Sequence, residues 1–196
     1  ALEPGKPLTF LDHHICCGNS LLGTTPALMK RGIPDEAFKP IEGDDKKVCS
    51  ELKRRNKDER SGQGMLPFGQ PDWLKLGNLV QSFANLTDED DSTPEALAAK
   101  EQRYVELVRS SAYESARLLA DAWCAAFVCE KRLHAPLEIT ESVFRRWEDN
   151  PHSILPGDKD ALLRLRDQYN FFHWHLAFPE VFKPKPTDQI GEDELA

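Results

Sequence analysis

Several things are missing from this sequence, and each absence removes a class of function. No apolar run approaches the ~20 residues that a bilayer-spanning helix needs, and no signal-peptide pattern opens the residues in hand. The cysteines number five, an odd count without a repeating spacing. A disulfide framework is therefore not expected, and reduced thiols in a cytoplasmic protein are the plain reading. No C-x-x-C knuckle occurs, and neither a G-x-S-x-G turn nor a Cys/His nucleophile pattern is present, so a hydrolase has little to stand on. Internal repeats are absent too. Positive charge is in short supply: 25 Lys and Arg face 33 Asp and Glu, a formal net charge of -8. That balance argues against a chain whose whole surface grips nucleic acid, while leaving room for a local basic patch.

What is present suits a protein with a real core. A chain of 196 residues can bury roughly 70% of its unfolded surface. Its 40% hydrophobic and 30% charged content is ordinary for a globular or helical protein. The densest apolar run near the start is residues 8–23, LTFLDHHICCGNSLLG. Thr9, Phe10, Ile15, Cys16 and Cys17 suit a short buried strand bounded by Pro7 and Gly18. Continuous apolar strands belong to sheets covered on both faces. In open α/β sheets ligands sit just beyond the carboxyl ends of the strands. Gly18-Asn19 stands at such an end, offering a small residue for close approach and an amide that both donates and accepts.

From there the pattern is helical. Residues 24–43 are broken by Pro26, Gly32, Pro34, Pro40 and Gly43, with a short helix predicted from Pro26 behind a Thr25 cap. Asp44 and Asp45 suit the positive end of a charged helix over 46–60. Only Val48, Cys49 and Leu52 give that helix an apolar side, so a surface position is expected. Residues 61–71 read as a flexible glycine- and proline-rich loop. Asp72 caps a helix bearing Trp73, Leu76, Val80 and Phe83, and residues 87–92 form an acidic connector. Ser92-Thr93-Pro94-Glu95 is a strong start signal. The pattern it opens runs to about Lys131, with a bend or a short break at Ser110-Ser111 and an enclosed stretch over 120–127. Thr140 caps a short helix carrying Val143, Phe144 and Trp147, stopped at Asn150-Pro151. A last helix is predicted over 159–177, ended by Pro179.

Residues 11–23 (LDHHICCGNSLLG) and 171–182 (FFHWHLAFPEVF) together resemble large adenine-specific DNA methyltransferases of restriction–modification systems and of BREX- and DISARM-type phage defence. In that family a GNSL strand end precedes a helical insertion. An FHW…FPEVF helix and loop then lead into the strand bearing the catalytic NPPY or NPPW motif. GIPDEAFKPIEGDDKKV and LLADAWCAAFV resemble the insertion, so the similarity covers most of the chain. The resemblance implies a mainly α chain: a helical insertion with a short N-terminal β-strand of a Rossmann-like α/β sheet that is incomplete here. Its implied divisions are strand and turn (1–23), insertion (24–158), a helix and loop toward the catalytic strand (159–182), and a disordered tail (183–196). It also implies S-adenosylmethionine as methyl donor, and as partners DNA and protein subunits of the defence system. Neither the F-x-G-x-G loop nor an NPPY-type tetrapeptide occurs, and Asn150-Pro151-His152 is only an echo. A segment of a larger enzyme is therefore expected, inactive alone, with no catalytic residue of its own.

Four groups of residues invite chemistry, each with a plainer alternative. By resemblance, Gly18 and Asn19 lie beside the adenine ring of the cofactor, where Asn19 bonds its exocyclic amine; the alternative is a simple turn. Lys53, Arg54 and Arg55 centre a basic cluster with Lys46, Lys47, Lys57 and Arg60 that suits DNA phosphates. Glu51, Asp58 and Glu59 are interleaved, however, and a solvated helix face is the alternative. His13, His14, Cys16, Cys17, His173 and His175 suggest zinc, but adjacent strand residues face opposite ways and His173 and His175 diverge on a helix. No metal is expected. Trp123, Trp147, Phe171, Phe172 and Trp174 could stack a flipped base, though their helical spacing fits a core.

Overall fold

A computed structural model describes residues 14–62, 76–89, 92–179 and 181–182. The first part of the expected strand, most of the predicted loop at 61–71, Asp72, Trp73 and the tail at 183–196 lie outside the described residues. So do the side chains of Leu76 and Val80. Among the described residues the architecture is helical. The helices are α1 (Pro26–Lys30), α2 (Lys46–Gly62), α3 (Leu76–Asp88), α4 (Pro94–Val108), α5 (Ser111–Val128), α6 (Glu141–Asp149), α7 (Pro156–Tyr169) and α8 (Trp174–Ala177). Short 3₁₀ turns occupy Asp35–Phe38 and Pro151–Ser153.

Local chemistry sets most helix starts. The Thr25 hydroxyl accepts the Leu28 N–H and Thr93 accepts that of Ala96, each ahead of a proline in the first turn. Ser110 accepts the Tyr113 N–H, and of the two alternatives at Ser110-Ser111 the structure has the short break, between α4 and α5. Thr140 precedes α6 as predicted but makes no side-chain capping bond.

The predicted enclosed stretch is the centre of the molecule. Ala120, Ala122, Ala125 and Ala126 of α5 are fully buried, and these small side chains let the neighbours approach closely. α5 meets α3, α4, α6, α7 and the 3₁₀ turn at Asp35–Phe38. One core runs from Met29 through Trp123, Phe144 and Trp147 to Leu162 and Leu176. Trp123, Trp147, Phe171 and Phe172 are buried, as their spacing suggested, whereas Trp174 is 40% exposed.

A polar knot braces this core at Gly32-Ile33. Gly32 has φ +81, and a Cβ there would fall 2.1 Å from Glu141 Oε2, so only glycine fits. All four backbone groups of the pair are satisfied. Gly32 N–H donates to Met29 O and Gly32 O accepts Trp123 Nε1. Ile33 N–H donates to Glu141 Oε2 at 2.6 Å, and Ile33 O accepts Asn56 Nδ2 at 2.9 Å. Asn56 Oδ1 takes the Glu141 N–H, while Arg145 bridges Glu141, Glu148 and Lys30 O. Through Asn56, Cys49 and Leu52, α2 is anchored along its inner face.

Two expectations need correction. No strand occurs among the described residues; the region expected as strand contributes only an isolated parallel bridge, Asn19 to Phe171. Ile15 is 68% exposed and Cys17 is exposed, not buried between layers. A single pairing is too little to hold a strand straight in water. The predicted helix over 159–177 is also two helices. Asn170 adopts φ 51, the left-handed cap that stops α7. Phe171–Phe172 then runs extended beside Asn19 and Leu22 before α8 begins.

Candidate functional site

The seam between residues 18–24 and 170–175 joins the two segments that carried the family resemblance. Asn19 N–H donates to Asn170 O at 2.7 Å, and Phe172 N–H donates to Leu22 O at 2.8 Å. Glycine makes this approach possible. A Cβ on Gly18 would meet Phe172 Cδ2 at 2.5 Å, and one on Gly23 would meet the Phe172 carbonyl oxygen at 2.0 Å. Gly18 and Asn19 line an open depression of about 490 Å³ with Cys17, Gln168, Tyr169 and Asn170. Asn19 is exposed, and its side-chain oxygen accepts only the nearby Leu21 N–H at 3.2 Å. Three residues with side-chain amides, Asn19, Asn170 and Gln168, and one with a phenol, Tyr169, line the depression. Such groups read the edge of a heterocyclic base by paired donors and acceptors.

Behind the seam lies a second cleft of about 320 Å³, lined by Cys16, Tyr104, Tyr113, Arg117, Phe171 and His173 among others. His173 is nearly buried. Its Nε2 lies 2.9 Å from Asp121 Oδ1, and its Nδ1 accepts the Thr24 N–H at 3.3 Å. The second bond fixes the proton on Nε2. Both ring nitrogens are therefore engaged within the protein.

His175 is the contrasting neighbour. Its ring centre is 6.2 Å from that of His173, and neither nitrogen has a hydrogen-bond partner. Burial, helped by His173, pushes its pKa down to about 4, against a weaker opposing pull from the Thr24 backbone. Asp121 Oδ2 is likewise buried and unpartnered.

The zinc suggestion finds no support here. No group of three His, Cys, Asp or Glu side chains among the described residues is placed to hold an ion. The reason differs from the one the sequence suggested: His173 lies outside any helix and is occupied by Asp121 and Thr24. Cys124 is also withdrawn from chemistry, its thiol raised to about 12 by burial and then by Asp121.

The basic cluster separates into two sets. Arg55 lies between Glu59 at 2.8 Å and Glu138 at 2.6 Å. Arg60 pairs with Asp35. Burial alone would raise the Glu59 carboxyl, but the Ser142 amide and Arg55 more than offset this and hold it below its usual range. Lys53 and Arg54 are exposed and make no ion pair among the described residues.

Asp121 and Thr24 had drawn no attention in the sequence, and His175 had drawn it only as a zinc ligand. The one available signal was Asp121 itself, a single acid inside an otherwise apolar helical stretch. Comparison with family models, with curated proteins and with solved structures gives no match.

Proposed function

We propose that this chain is a segment of an S-adenosylmethionine-dependent DNA adenine-N6 methyltransferase from a restriction–modification or phage-defence system. One observation carries the reading. The GNSL and FFHW segments, found near opposite ends of the sequence, are paired in parallel at Asn19 and Phe171. Parallel pairing needs a long crossover, and the helical residues between the two segments are long enough to serve as one. Gly18 permits close approach, and Asn19 presents a side chain that can bond an adenine amine, with Gln168 and Asn170 beside it. These residues fit the adenosine half of the cofactor, which when bound supplies the methyl group. Lys53 and Arg54 face outward to meet DNA phosphates, whereas Arg55 is held by Glu59 and Glu138.

The test is a calorimetric titration of S-adenosylmethionine into the complete enzyme and its Asn19→Ala variant. Weaker binding in the variant supports the reading, and an unchanged isotherm rejects the role of Asn19. A second reading, a non-catalytic helical module that docks onto a protein subunit, draws on exposed apolar residues. Leu21 is 90% exposed, and Ile15, Val181 and Phe182 are open as well. Trp174 packs against Phe182 in the same neighbourhood, with ring centres 5.5 Å apart and planes tilted by 55°. Such a module ignores S-adenosylmethionine with or without the rest of the enzyme.

A further inference from the structure

We infer that α2 is a sequence-neutral track for the phosphates of one strand of duplex DNA, formed by Lys46, Lys47, Lys53, Arg54 and Lys57. This rests on the DNA-directed part of the reading above and is independent of the cofactor part. The sequence mixes acids and bases along this helix, but folding sorts them. On a 3.6-residue turn the five cations fall within an arc of about 120°, shared only with Ser50 and Ser61. All seven side chains are exposed. The helix's other two arginines lie outside that arc and are held by acids: Arg55 by Glu59 and Glu138, Arg60 by Asp35. Glu59 is turned inward onto the Ser142 amide at 2.9 Å. Glu51 and Asp58 border the arc without entering it.

The dimensions suit a polyanion. Lys46 to Lys57 spans about 16 Å at a 1.5 Å rise, the axial length of about five nucleotides of one strand. The serines are short and their hydroxyls bond helix carbonyls, Lys46 O at 2.8 Å and Asp58 O at 2.9 Å. They leave the lysines unshielded. A lipid surface is a poorer match. The apolar side of α2, Cys49 and Leu52, is buried against the protein, so nothing remains to insert between headgroups. With a net charge of -8, the rest of the surface repels DNA and leaves this edge to face it. Cations that meet phosphates position a duplex and do not read it.

The experiment is fluorescence anisotropy of the full chain with duplexes of two unrelated sequences, between 50 and 200 mM salt. Five phosphate contacts predict about a 500-fold loss of affinity across that range, equal for both sequences. The variant Lys53→Gln/Arg54→Gln/Lys57→Gln should retain only about a 12-fold salt effect. A control carrying Arg109→Gln, Lys159→Gln and Arg164→Gln has the same net charge and should keep the wild-type slope. Circular dichroism melts establish that both variants are folded. Equal slopes in the two variants overturn the track, as does tighter binding to anionic phosphatidylserine vesicles than to DNA. Loss of cofactor binding in Asn19→Ala bears on neither result, so the two proposals fail separately.

Discussion

The Gly32-Ile33 knot and the Asn19–Phe171 seam both tie together segments far apart in sequence, yet they are finished to different degrees. At the knot, every backbone donor and acceptor of the two residues has a partner, supplied by α1, α2, α5 and α6. At the seam, Asp121 Oδ2 and both nitrogens of His175 have none, and large apolar side chains stand open beside it. Unpartnered buried atoms also occur near the knot, Thr140 Oγ1 and Trp147 Nε1 among them, so the difference lies in exposure. The knot is enclosed and acts as a brace. The seam leaves Asn19, Leu21 and Trp174 open along its length.

That contrast can be broken or sharpened experimentally. The largest effect is expected at the knot. Glu141→Ala leaves the buried Ile33 N–H without a partner and takes one of the two acids that hold Arg145, and should lower stability by about 3–5 kcal/mol in urea unfolding. A loss below about 1 kcal/mol would mean the knot is decorative.

Next comes His175. Its folded pKa, about 4, lies below the ordinary 6.5. The unfolded chain therefore binds the extra proton first, and stability is full above pH 6.5 and falls as pH drops toward 4. The total loss is about 3 kcal/mol. His175→Leu should abolish this component, seen as a flatter pH profile of the urea midpoint than in wild type. Identical profiles would place the ring in contact with water.

Gly23→Ala follows, because its Cβ would meet backbone rather than a mobile side chain. A cost of about 1–3 kcal/mol is expected, together with faster hydrogen exchange at the Phe172 amide and no change at Ile33. The smallest effect belongs to Asn19→Ala. Asn19 is exposed with one local bond, so stability should shift by less than about 0.5 kcal/mol. Any sizeable consequence must then appear in ligand binding.

Much of the body was legible beforehand. Thr25, Thr93-Pro94 and Ser110 announce their helices by cap chemistry that acts within four residues, and the alanine-rich centre of α5 could only be enclosed. The seam was not legible, for a physical reason. Phe172 and Leu176 are four apart and fit a helix, but the Phe172 N–H is taken by Leu22 O instead. Local spacing carries no trace of that long-range competitor. The same holds for Asn56 and Glu141, which look like solvent-facing polar residues until they are seen gripping Ile33. At the candidate site, Gly18 and Asn19 were marked by their turn chemistry, whereas Thr24 and Asp121 have no motif to mark them, and the spacing of His173 and His175 pointed only to a metal. For α2 the sequence showed the charges, and only the fold showed that Glu59 turns away from the lysines.

The pairing of Thr24 with His173 closes a loop of 149 positions, and that separation has a kinetic meaning. Contacts so remote form slowly, after the short-range helices have already docked. The two ends should therefore clasp last when the chain refolds and part first when it is pulled from its termini. In an optical trap, a small early rip that releases most of the seam, followed by a larger one for the helical body, is the expected trace.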